Sequence, residues 1–518
     1  MAEGSKEDSL FQLIRSMTKA EKRYFKINST HTIGDKNSYM RLFEAMDGIT
    51  AYDDAKFRQK FKKEPFVKYL AAEKNYLYEL ILKSLRGSRY EKSKYLKLLG
   101  LLNDVDLLFE KRMFEECEKR IKKAQKIAVD MNYFHINGLL IDWKFILLSR
   151  LQETSVSDVL KEYNDEILLN QKTLDNFYSY RKLKNDALVI SKKAVKINQP
   201  NDERRISEIF SSVFLQQPEL ANSFIAKLEY YSMLGQLYRA QIRSEEEYNV
   251  RKEHLKLFEN FPEMVEEYPN KYSYALSNFL VVAVRVSDFE GYEQAIEKLG
   301  LDNPDQFKET KVINMGGNQM FYLMNNSRWP EAVKLSNILE DMLLKYRAGI
   351  SWTQIITIKY NAGCLQFILG KYSEAVDRFD FVINEKQETY MGQLLASRVL
   401  HLICHYEISP ITVVESLLGS ANRFAAKVND KNSFNEIILK GIRKLTRTID
   451  KSETRAIMTQ MREDLLLIFE EYQFGLGLEE TICWLTSRIE NRTVLEVVNE
   501  RLEIERQMAI EKLKQQEK

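Results

Sequence analysis

The chain has 518 residues, which as a prior corresponds to roughly two to four ordinary domains, and it contains only 8 Pro and 19 Gly. So few turn-formers in so long a chain require long elements and short joints, and with Leu, Lys, Glu, Ala and Ile abundant those elements are expected to be helices. A net charge of +2 from 77 basic and 75 acidic residues argues against a polyanion binder that uses the whole chain.

In chain order, "SLFQLIRSMTKAEKRYFK" opens the helical pattern, and its Thr18-x-x-Glu21 is a helix start of capping-box form. "SYMRLFEAM" and "FVKYLAAEKNYLYELILKSLRGSRY" follow as two further helices. From Lys56 to Lys97, thirteen Lys or Arg stand against four acids. Within that segment Lys68, Lys74, Lys83, Arg86 and Arg89 are interleaved with Tyr76 and Tyr78, as well as Tyr69 and Tyr90. Bases among aromatics are suited to neutralising phosphates and stacking on nucleobases, which makes this segment a candidate nucleic-acid surface. The plainer reading gives Phe66, Tyr69, Leu70, Leu77, Leu80, Ile81 and Leu85 to a core face and the lysines to solvent.

Next, Leu98, Leu101, Leu102, Val105, Leu108 and Phe109 recur at helical spacing. After the "KRM" break, Phe114, Cys117, Ile121, Ala124 and Ile127 do the same, which predicts a helix, a tight turn and a second helix. Every proline (Pro65, Pro200, Pro218, Pro262, Pro269, Pro304, Pro330, Pro410) falls at or near a polar break and is read as a helix start or a joint. Four quartets punctuate the chain: "FEEC" (114–117), "YEQA" (292–295), "WPEA" (329–332) and "YSEA" (372–375). In each, an aromatic is expected at the helix–helix corner and a small residue where two helices approach. The last three lie about 40 residues apart, the range of a two-helix repeat.

Residues 356–389, which contain "NAGCLQFILGKYSEAVDRFDFVI" (361–383), resemble a tetratricopeptide repeat. Ala362 and Gly363 stand where its first helix has a Leu-Gly pair, Gly370 and Tyr372 at its turn, Ala375 at its small site, and Phe379 and Val382 on its second helix. Lys359 and Gln366 depart from the pattern, and no Pro closes the unit. The resemblance, which extends to large bacterial proteins of this kind, implies an all-α fold. The expected architecture is an α-solenoid of antiparallel helix pairs, a right-handed superhelix over 96–450. A basic N-terminal helical domain (1–95) would precede it and C-terminal helices (451–518) would cap it. The resemblance also implies a partner-binding groove lined by first helices. It assigns Thr357, Tyr360, Cys364, Phe367 and Ile368 to that groove, with packing between neighbouring repeats as their alternative role. On the following helix, either Ser397 or Leu402 is the close-contact residue, and the choice decides whether His401 or His405 reaches the groove.

Candidate chemistry is sparse. "HLICH" brings His401, Cys404 and His405 to one helix face, ligand types zinc accepts, but Leu402 stands where a metalloprotease needs Glu. The expectation is a packed helix and no metal. "FGLGLEE" (474–480) lacks the third glycine of a dinucleotide loop and "NMGGNQM" (314–320) lacks the Gly-Lys-Ser/Thr of a phosphate loop. The many Asp and Glu are read as solvated faces of amphipathic helices. No catalytic residue, cofactor or enzyme activity is expected. Cys117, Cys364, Cys404 and Cys483 form no CxxC, which suits buried thiols in a reducing compartment. The longest apolar run, "FLVVAV" (279–284), is too short to span a bilayer, and no signal peptide is visible. The expected protein is cytoplasmic, free of the membrane, and a scaffold for a protein or peptide partner. The alternative is a regulator whose N-terminal helices bind nucleic acid and whose repeats sense a ligand or partner.

Overall fold

A computed structural model describes residues 8–32, 38–90, 93–151, 155–193, 200–215, 217–241, 243–286, 288–299, 309–346, 350–384, 391–427, 434–472 and 476–516. Among the described residues every regular element is a helix and none is a strand. No helix there is long and apolar enough to cross a membrane. The chain divides into two compact units, 1–174 and 175–518.

The first unit begins with α1 (Ser9–Ser16), α2 (Lys19–Thr32), α3 (Ser38–Asp47), α4 (Asp54–Lys60) and α5 (Leu70–Tyr90). Thr18 and Glu21 close a reciprocal box: the Thr18 amide donates to Glu21 Oε2 at 2.8 Å, and the Glu21 amide donates to Thr18 Oγ1 at 3.2 Å. These helices surround Leu10, Ile14, Phe25, Leu42, Phe43, Phe57, Phe66, Leu77 and Ile81, all buried. Of the core face read here, Phe66, Leu70, Leu77 and Ile81 are buried and Leu80 and Leu85 half-buried, but Tyr69 is exposed. The helices α6 (Lys94–Glu110), α7 (Phe114–Asp130) and α8 (Phe134–Leu151) follow as neighbours packed in sequence. The helix–turn–helix expected on either side of "KRM" is present, with Val105, Cys117, Ile121 and Leu147 as its core. The long α9 (Val156–Lys193) runs past the division between the units.

The second unit continues with α10 (Pro200–Phe210), α11 (Phe224–Ala240), α12 (Ser244–Glu259), α13 (Pro262–Glu267), α14 (Pro269–Arg285) and α15 (Phe289–Leu299). Then come α16 (Glu309–Asn325), α17 (Trp329–Tyr346), α18 (Trp352–Ile368), α19 (Tyr372–Ile383), α20 (Met391–Ile408) and α21 (Ile411–Lys427). The last are α22 (Phe434–Leu445), α23 (Lys451–Tyr472), α24 (Leu478–Glu490) and α25 (Val494–Gln516). Pro200, Pro262 and Pro269 are first helical residues, Pro330 is second in α17, and Pro410 immediately precedes α21. Proline's fixed φ and missing N–H suit those positions. Pro304 lies outside the described residues.

One turn joins many of these helices. The amide of Lys371 donates to the Gln366 carbonyl, five residues back, at 2.9 Å. The same bond recurs from Met113 to Leu108, Tyr133 to Ala128, Arg243 to Tyr238, Asp288 to Ala283, Arg328 to Leu323, and Arg492 to Ser487. Such a bond satisfies a carbonyl left open at a helix end and needs a left-handed residue just before the donor. Gly370 supplies it at φ 73°, and Arg112, Asn132, Ser327 and Asn491 adopt it at φ 55–59°. In the second unit, neighbouring helices pack in succession, and so do alternate ones: α14 on α16, α16 on α18, α18 on α20, and α20 on α22.

The turn sets a common register. In five of the seven turns, counting from the donor, the fourth residue is Cys117, Glu247, Tyr292, Ala332 or Ala375 and the eighth is Ile121, Arg251, Ile296, Ser336 or Phe379. All ten are buried. After Arg492 the same positions are Glu496 and Glu500, both exposed. The small residues Cys117, Ala332 and Ala375 stand where the quartets put them. The "YEQA" quartet is set three residues off: Tyr292, not Ala295, holds the position of Ala375. Its ring stacks flat on Tyr322 of α16, with centroids 3.8 Å apart.

Candidate functional site: a buried charge belt and a covered helix face

In the best-resembling pair, α18–α19, the two register positions make an apolar contact. The Phe379 ring lies against Gly363, where a Cβ would come within 2.6 Å of it. In α11–α12 the same positions hold Glu247 and Arg251, and the Arg251 guanidinium lies against Gly235, where a Cβ would come within 2.3 Å. Both charged residues are 0 % exposed. Burying charge is costly unless it is paired, and α11–α12 holds an ionic contact where α18–α19 holds a hydrophobic one.

Glu247 is shared by three arginines from three helices. Arg239 Nε of α11 donates to its Oε1 at 2.8 Å, and Arg251 Nη2 of α12 does so at 3.4 Å. Arg285 Nη1 of α14 approaches its Oε2 at 3.7 Å. Burial pushes Glu247 up, but these three guanidinium groups outweigh it and hold its carboxyl below the usual range. Arg251 and Arg285 are lowered to about 10 by burial and by repulsion from Arg239. Arg251 Nη1 is buried without a hydrogen-bond partner.

A second carboxylate nearby repeats the pattern. Glu229 of α11, 2 % exposed, is paired with Lys184 of α9, with Arg181 Nη2 at 3.4 Å, and with Lys271 Nζ of α14 at 3.8 Å. Burial, then repulsion from Lys184 and Arg181, lowers Lys271. Between the two groups lies His254, 3 % exposed, with Nδ1 unpartnered. Burial and the charges of Arg251, Lys271 and Lys184 lower it to about 3, so the ring stays neutral. Sequence reading assigned such acids to solvated faces, and at Glu229 and Glu247 that assignment is corrected. The available signal was Glu247, Arg251 and His254 on one face of α12 at a spacing of four and three, in line with buried Phe258.

The candidate groove residues of α18 are also placed. Tyr360, Cys364, Phe367 and Ile368 are buried, and Thr357 is half-buried against Gly317 of α16. What covers this side is the chain's own C-terminal helix pair: α25 packs on α18, and α24 on α20. Glu480 of α24 hydrogen-bonds Cys364, and burial together with the neighbouring Glu479 raises its carboxyl. Trp484 Nε1 and Arg488 Nε donate to Glu407 Oε1 of α20 at 2.6 and 2.8 Å. From α25, Asn499 accepts from Trp329 Nε1 at 2.9 Å, and Arg506 reaches the Asn325 carbonyl at 3.4 Å. On α25, Val494, Val498 and Leu502 are buried, while Ile504 and Met508 are exposed.

His401 of α20 turns to Asp380 of α19, 3.1 Å away, and burial lowers it to about 4. His405 bonds Ser409 at 2.7 Å, and Cys404 is buried. Among the described residues no three His, Cys, Asp or Glu side chains are grouped to hold a metal ion. Gly475 lies outside the described residues, and Gly477 takes a left-handed φ of 80° just before α24. In the first unit, Lys68, Lys83, Arg86, Arg89 and Tyr76 are exposed, and Tyr78 is half-buried. Lys74 is engaged elsewhere, 2.6 Å from Asp8 and donating to the Tyr52 hydroxyl at 2.7 Å.

No family model matches the chain, and no curated protein matches it.

Proposed function

We propose that the protein is a non-enzymatic interaction scaffold, a degenerate tetratricopeptide-like solenoid that receives a partner helix or peptide on the side formed by its first helices. The observation that carries this reading is the seating of α24 and α25 on α18 and α20. A side that packs helices of its own chain through Glu407, Cys364 and Trp329 has the chemistry to pack a partner's. The recurring turn and the succession of alternate helices α14 to α22 support the solenoid. On this reading, Tyr360 and Cys364 meet a partner only after α24 moves away.

The test uses affinity capture from native lysate with two baits, the wild-type chain and an Arg488→Glu variant whose new carboxylate faces Glu407. Repulsion there loosens α24, so the variant captures more of any specific partner while circular dichroism stays helical. Unchanged capture from a demonstrably loosened α24 removes this side as the binding face.

A second reading is favoured by the exposure of Lys68, Lys83, Arg86 and Arg89 beside Tyr69 and Tyr76, which are 62 % and 48 % exposed. It gives the first unit a nucleic-acid surface and makes the protein a regulator. The full chain then retards duplex DNA in a salt-dependent way, and Lys83→Gln with Arg86→Gln and Arg89→Gln weakens the shift. No retardation even at low salt ends that reading.

A further inference from the structure

The buried belt of the second unit has more positive charge than its own acids balance. Glu247 faces Arg239, Arg251 and Arg285, and Glu229 faces Arg181, Lys184 and Lys271. Each group therefore has two positive charges in excess, and neutral His254 between them adds none. The next acid toward Arg285 is Glu479, itself held by Arg501 at 2.8 Å.

The two carboxylates are sealed, but the outer bases are not. The side chains of Arg181, Lys271 and Arg239 are 43 %, 39 % and 32 % exposed. Tyr274 stands beside them on α14, 47 % exposed, its hydroxyl accepting from Gln236 Nε2 at 3.4 Å. The buried acids thus hold cations in fixed positions at a surface, while the unpartnered Nη1 of buried Arg251 lies against Gly235.

We propose that this surface is a binding site for a phosphate-bearing anion, with Arg239 at one end and Lys271 with Arg181 at the other. A phosphate dianion matches the excess of two charges at each end, where a single carboxylate leaves one uncompensated. Guanidinium forks and a lysine ammonium are also the donors that phosphate oxygens take best. The site stands apart from the scaffold reading because it needs no partner protein.

The test is calorimetry on the full chain at fixed ionic strength, titrating inorganic phosphate and sodium tripolyphosphate against chloride as the blank. Saturable binding is expected, tighter for tripolyphosphate than for phosphate, with a rise in melting temperature. Lys271→Gln and Arg239→Gln each weaken it at least tenfold while circular dichroism is unchanged. Arg204→Gln, which removes an exposed base from α10, leaves it intact. Failure to saturate, equal affinity in the belt variants, or tighter binding of an oligoglutamate peptide than of tripolyphosphate would each overturn the proposal.

Discussion

The pairs α11–α12 and α18–α19 are built on the same joint and filled with opposite chemistry. Both place a glycine on the first helix against the eighth residue after the turn donor, Gly235 against Arg251 and Gly363 against Phe379. Both bury the fourth residue as well, Glu247 in one and Ala375 in the other. The backbone design therefore does not dictate what fills the contact. A turn that satisfies its own carbonyls fixes the approach of two helices, and the interior can then be apolar or ionic at a similar distance. The difference lies in what each interior leaves over: α18–α19 is self-sufficient, whereas α11–α12 needs charge supplied from α9 and α14.

That dependence can be broken most severely at Glu247. Glu247→Ala leaves three guanidinium groups facing one another without a counter-charge, and a loss of about 3–5 kcal/mol is expected in denaturant unfolding. Phe379→Ala removes a fully buried ring and is expected to cost about 3–5 kcal/mol through its cavity alone, with no dependence on salt. A Glu247→Ala variant that costs less than about 1 kcal/mol would remove the ionic role assigned to α11–α12.

Gly363→Ala and Gly235→Ala sharpen the comparison. Each introduces a methyl inside the contact distance of a buried group and should destabilise by about 1–3 kcal/mol. Arg251→Met should relieve the second variant but not the first, and the double-mutant cycle reads that coupling. Smaller per unit change is a pH effect. His254 is about 3 in the fold and 6.5 unfolded, so below about pH 6.5 the unfolded chain takes a proton that the native chain refuses. Stability should fall by about 1.4 kcal/mol for each pH unit of descent toward that value, and His254→Leu should flatten the slope. At the bottom of the scale, Arg204→Gln should change melting by less than about 0.5 kcal/mol.

What was legible in the chain was local. Thr18 with Glu21, the break at "KRM", and the prolines at helix starts are interactions within a few residues, and local chemistry suffices to predict them. The register of "YEQA" was not legible, because a quartet of residue types cannot distinguish Tyr292 from Ala295 at the fourth position. Only the Asp288–Ala283 hydrogen bond does so. The charge belt was hidden for a different reason. Glu247 and Arg251, four apart on a helix, have the spacing of an exposed pair, and their burial comes from α11 and α14, more distant in sequence. Cys364 and Tyr360 could be assigned to a helix face from the repeat pattern, but not the identity of what lies on it, since Glu480 and Trp484 belong to a distant segment.

The fold-back of the last two helices also bears on the order of events in the life of the chain. Most contacts of the second unit join helices that follow one another, and such contacts form early and cheaply. The bonds from Trp329 to Asn499 and from Arg506 to Asn325 close loops of 170 and 181 residues. On the ribosome, α18 and α20 emerge and fold while α25 is still being made. Until α24 and α25 have been made, the side of those helices that they will cover stays open, so the growing chain displays a surface that these two helices later close.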